Sequence, residues 1–68
     1  MKFTIEFERE DDNRWLAEIT ELPGVLAYGK NPDEAISHAK ALALRVLADR
    51  IEHDEQSAEM TEIVFATA

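Results

Sequence analysis

Sixty-eight residues suffice for one domain and no second core, and a domain of that size buries only roughly 60% of its unfolded surface, so its stability is expected to be marginal. Seven Lys and Arg against fifteen Asp and Glu give a net charge of −8, which disfavours direct nucleic-acid binding and suits a cationic protein partner. The absence of cysteine excludes disulfides and thiolate zinc sites, fits a reducing compartment such as the cytoplasm, and leaves self-association, at least to a dimer, as the expected supplement to a small core.

Residues 2–8 alternate Phe3, Ile5 and Phe7 with Lys2, Thr4, Glu6 and Glu8, the period of a half-buried strand and neither a signal peptide nor a membrane span. Asp11, Asp12 and Asn13 interrupt the pattern with turn chemistry. Residues 14–20 then resume it with Trp15, Ala17 and Ile19 on one face, so the two segments read as an antiparallel hairpin. Leu22-Pro23-Gly24 marks a bend, and residues 25–29 read as a short third strand.

Asn31-Pro32-Asp33-Glu34 is a helix start: a capping side chain, proline at the first helical position, acid in the first turn, and Glu34 placed to complete a capping box. Ala35, Ile36, Ala39, Ala43, Val46, Leu47 and Ile51 recur at three- and four-residue steps, which predicts a helix over 32–52 with its apolar stripe on the sheet. Leu42, Leu44 and Ala48 widen that stripe. Residues 53–59 read as a linker or frayed helix end, and 61–66, with Ile63, Val64 and Phe65, as a C-terminal strand. The expected fold is therefore α+β, a single β-β-β-α-β domain with an antiparallel sheet and one helix packed on it.

Little in this pattern carries chemistry. No pair of carboxylates is placed in an apolar pocket as acid-base catalysis requires. Glu10, Asp11 and Asp12 lack the ligand alternation of a calcium loop and read as a solvated turn. His38 and His53 stand fifteen positions apart, too far to grip one metal from one helix. Ser37 and Ser57 have no nucleophile motif, and the glycines form no phosphate loop. No enzyme activity, metal or cofactor is expected. Trp15 is assigned to the core, and Tyr28 either to the core or to an interface with its hydroxyl in water.

Several segments together, Arg14-Trp15-Leu16-Ala17-Glu18-Ile19, Glu21-Leu22-Pro23-Gly24-Val25, Ala27-Tyr28-Gly29 and Asp33-Glu34-Ala35-Ile36, give the chain a likeness to a known family. The chain resembles the HicB antitoxins over roughly residues 1–53, and Ala41 to Ile51 is similar to the helix of its short members. The resemblance implies a degraded ribonuclease H-like fold and a HicA-like partner, a small basic ribonuclease toxin that the domain binds and neutralises. Glu10, Asp11, Asp12 and Glu21, at expected loop ends, together with Tyr28, are the candidate partner contacts under this reading. Many members continue into a helix-turn-helix or ribbon-helix-helix. This chain stops after one expected strand, so inhibition is expected and operator binding is not. The alternative is an orphan homo-oligomeric module of the same fold. The carboxylate cluster of a ribonuclease H does not map onto these residues, and a minimal hydrolase is the weakest reading.

Overall fold

The alternating N-terminal residues form β1 (Lys2–Arg9), which pairs antiparallel with β2 (Trp15–Ile19) in the register Ile5 to Ile19 and Phe7 to Ala17. These and all other elements come from a computed structural model that describes residues 1–53 and 62–68. The hairpin loop closes through Asn13 N–H to the Glu10 carbonyl at 3.0 Å and Glu10 N–H to the Arg14 carbonyl at 2.7 Å. Asn13 takes φ 68°, a left-handed conformation that asparagine tolerates better than most residues.

Between β2 and β3 (Leu26–Gly29) the chain makes a tight bend. Val25 N–H donates to the Leu22 carbonyl at 3.0 Å, with Pro23 and then Gly24 at the two central positions and Gly24 at φ 84°. Proline followed by a residue at positive φ is the type II turn, which needs glycine at its third position. The bend turns Leu22 and Val25 inward, and each is only 3% exposed. Leu-Pro-Gly-Val is thus a two-pronged hydrophobic anchor around a preset turn.

Helix α1 (Pro32–Glu52) starts as its sequence requires: the Asn31 side chain accepts from Glu34 N–H at 2.8 Å, with Pro32 in the first turn. The Glu34 carboxylate reaches back one residue further than a capping box does and accepts from Lys30 N–H at 3.2 Å. Of the expected stripe, Ala35, Ala39, Ala43 and Leu47 are buried, Ile36 and Val46 are half-buried, and Ile51 is exposed. Leu42 is half-buried, whereas Leu44 and Ala48 are exposed. Small residues at four-residue spacing let the helix backbone lie close to β2 and β3. The closest approach is at Gly29, where an added Cβ would fall 2.8 Å from the Glu34 carbonyl carbon and closer still to the Ala35 amide nitrogen.

The sheet order is β3-β2-β1-β4, with β4 (Val64–Thr67) parallel to β1 in the register Phe3 to Phe65. The antiparallel sheet expected from the sequence is therefore corrected to a mixed one. The reason is the connection: a helix returns the chain to the end of the sheet at which β3 began, so the next strand runs parallel to β3 and to β1. The expected C-terminal strand, 61–66, is corrected to 64–67, since Glu62 and Ile63 precede β4; its expected start at Thr61 and most of the expected linker lie outside the described residues. The core is Phe3, Ile5, Ala17, Ile19, Leu22, Val25, Ala35, Ala39, Ala43 and Leu47, all on the helix side of the sheet. Trp15 packs at its margin beside Phe7, with ring centroids 6.3 Å apart.

Gly29→Ala is expected to destabilise the fold by about 1–3 kcal/mol through overpacking against backbone that cannot yield. Gly24→Ala has open space around it and is expected to cost about 1 kcal/mol through its positive φ alone. Urea unfolding of both variants checks the order; equal losses would contradict the close approach.

Candidate functional site

Of the five candidate contacts, Asp12 and Glu21 are occupied within the fold. Asp12 accepts from the Arg14 backbone amide at 3.1 Å and from Arg14 Nε at 2.6 Å, closing the hairpin tip. The amide bond first, and then the guanidinium, hold its carboxyl below the ordinary aspartate value. Glu21 accepts from Thr4 N–H at 2.7 Å, Thr4 Oγ1 at 2.8 Å and Thr20 Oγ1 at 3.0 Å. Hydrogen bonds from the Thr4 amide and hydroxyl lower its carboxyl from 4.5 to about 2. The acid of the Glu-Leu-Pro-Gly-Val segment thus stitches the bend to β1.

Glu10 and Asp11 lie at the hairpin tip, Glu10 half-buried and Asp11 exposed. Tyr28 lies on β3, beside the same tip: the Arg14 guanidinium sits 4.1 Å from its ring centroid, a cation-π contact that joins the tip to the edge strand. The structure therefore gathers Glu10, Asp11, Asp12 and Tyr28 at one end of the sheet. Glu21 lies towards the other, against Thr4.

The sheet face away from α1 carries residues that loop reasoning passed over. Cross-strand register pairs Glu6 with Glu18 and Glu8 with Leu16 across β1 and β2, and Glu18 with Leu26 and Leu16 with Tyr28 across β2 and β3. Paired residues share a face, so three carboxylates stand among Leu16, Leu26 and Tyr28. Leu26 and Tyr28 are each 39% exposed. Like charges directly opposite on a sheet are destabilising. Glu6, Phe7, Glu8, Leu16, Glu18 and Ala68 line an open concavity of about 370 Å³ on this surface. The signal was present in the strand alternation, since Glu6, Glu8 and Glu18 are the outward residues of strands recognised from sequence. What the alternation did not contain was the register that sets them side by side.

His38, on α1, contacts the Tyr28 carbonyl through Nδ1 at 2.8 Å. A carbonyl only accepts, so Nδ1 carries the proton and the ring is an edge cap. His53 Nδ1 similarly meets the Asp49 carbonyl at 2.8 Å, at the helix C-terminus. Among the described residues, no three His, Asp or Glu side chains gather where they would hold a metal ion, and no helix is long and apolar enough to cross a membrane. No family model, curated protein or solved structure matches the chain.

Because the folded-state pKa of Glu21 lies below its unfolded value, its contribution to stability is complete above about pH 4.5 and is lost as the pH falls towards 2. The urea midpoint of the native chain is therefore expected to fall across that window. That of Glu21→Gln is expected to be lower at pH 6 and to change less with acid. Parallel pH profiles would exclude the Glu21–Thr4 stitch.

Proposed function

We propose that this chain is a HicB-like antitoxin domain: a non-catalytic protein that binds a small basic HicA-type ribonuclease and occludes it. The observation that carries the reading is the sheet face away from α1, bare among the described residues, where Glu6, Glu8 and Glu18 stand among Leu16, Leu26 and Tyr28. Acid and apolar surface in one patch suits a cationic partner with exposed hydrophobic groups, because charge accelerates encounter while apolar burial slows dissociation. A solvated face has no physical need for two glutamates directly opposite each other. A cation brought by a partner removes that repulsion and converts a folding cost into binding energy.

The β-β-β-α-β order and the segments that resemble the family support the same reading. Those segments act locally, since Glu21 pins the bend, Leu22 and Val25 enter the core and Gly29 admits the helix. They speak for a shared fold, and the face speaks for the partner. On this reading the binding surface comprises the face together with Glu10 and Asp11 at its hairpin end, while Asp12 and Glu21 act by holding the loops.

Mixing the chain with a HicA-type ribonuclease is expected to give a complex by calorimetry and to stop RNA cleavage. The double variant Glu6→Lys with Glu18→Lys should slow association by about tenfold or more at low salt and flatten its salt dependence. Undiminished cleavage with no heat of binding would dismiss the proposal.

A further inference from the structure

We infer that the outer edge of β4 is a self-association surface, on which a second copy of this chain adds its own β4 antiparallel about a twofold axis near Phe65. It uses the backbone edge of the sheet, adjoining the face assigned to a basic partner, and does not depend on that assignment.

Two edges bound the sheet, β3 and β4, and they are treated differently. On β3 the residues whose backbone points outward are Leu26 and Tyr28, because Ile19 N–H bonds the Val25 carbonyl and the antiparallel ladder alternates from there. His38 already occupies the Tyr28 carbonyl, and Pro23, Lys30 and Pro32 flank the strand. Capping, charge and proline are the ordinary means of keeping an edge from pairing.

Within residues 63–68 the β4 edge has no proline and no charge of its own, and among the described residues no side chain caps its backbone. Val64 N–H donates to the Met1 carbonyl at 2.8 Å and Ala68 N–H to the Ile5 carbonyl at 2.9 Å. Residues 64, 66 and 68 therefore face β1, and the backbone groups of Ile63, Phe65 and Thr67 project to the other side. Residues 63–68 contain no ionisable side chain and no proline. Among the described residues, nothing pairs with this edge.

Charge and hydrogen bonding together select the occupant. A molecule of net charge −8 repels its own copy, and residues 63–68 of β4 and its flanks are a strip without ionisable side chains, bounded by Glu62, on which two copies can meet. Antiparallel pairing of a strand with itself sets the Phe65 N–H of each copy against the Phe65 carbonyl of the other, so donors and acceptors match by symmetry. Apolar surface lies alongside. Ile63 is 38% and Val64 41% exposed, and α1 covers mainly β2 and β3. On the helix flank, Lys40 reaches to 5.8 Å from the Phe65 ring centroid. Leu44, four residues on, and Ile51, eleven on, share that flank and are 47% and 44% exposed. Because the β3 edge is capped, pairing through β4 closes at two copies and does not propagate.

So short an edge makes a small interface, with a dissociation constant on the order of 10 µM. Sedimentation equilibrium of the full chain from about 5 to about 500 µM is expected to show a monomer–dimer equilibrium. The Phe65 amide should exchange more slowly with deuterium as the dimer fills. Thr67→Pro removes an outward donor without touching the β1 ladder, and Ile63→Glu charges the strip; each should weaken dimerisation tenfold or more with unchanged circular dichroism. Ala41→Glu adds the same charge to the exposed outer side of α1 and should leave dimerisation as it is. A monomer throughout the range, dimers as tight in both edge variants as in the native chain, a Phe65 amide that exchanges equally fast in the dimer, or an equal loss in Ala41→Glu would each overturn the assignment.

Discussion

The contact on which the architecture depends is the one between the end of β3 and the first turn of α1. Gly29 lies so near the Ala35 amide that no side chain fits between them, and from that point Ala39 and Ala43 keep the helix close to β2 and β3. Four of the ten core residues are alanines, so the core gains from nearness of backbone as much as from side-chain bulk. With so few large side chains, the anchors Leu22 and Val25, drawn in by the type II turn, supply apolar burial that one helix and half a sheet would otherwise lack.

Among the described residues, a single helix set over β2 and β3 leaves two parts of the sheet without cover. One is the whole opposite face, where Glu6 and Glu18 are forced together by strand register. The other is β4, beyond the reach of most of the helix. Both are costly to leave bare, the first through like-charge repulsion and the second through an unpaired backbone. On the readings proposed above, a cationic surface answers the first and a matching strand the second.

The acidic residues divide accordingly. Asp12, Glu21 and Glu34 spend their oxygens on backbone and side-chain donors within the chain, closing a hairpin, a bend and a helix start. Glu6, Glu8 and Glu18 stand outward on strands, side by side on the open face. A carboxylate in a loop next to threonine or arginine is thus the kind this fold consumes, whereas those on the open side of its strands stay in solvent.

Among the described residues the sequence by itself determined the five elements and, β4 apart, their boundaries to within about a residue, because they rest on local physics: period-two alternation for β1 and β2, Asn31 and Pro32 for the helix start, Pro23 and Gly24 for the bend. It also marked the buried alanines through their four-residue spacing. Tertiary structure alone decided the direction of β4, since an isolated strand pattern has no polarity until a crossover delivers it to one end of the sheet. Register was likewise beyond local reading, and register is what sets Glu6 against Glu18 and commits Glu21 to Thr4. The candidate contacts chosen from loop position were therefore only partly the ones left open. Whether a carboxylate meets a donor within its own chain depends on residues seventeen positions away, and only the folded chain brings those together.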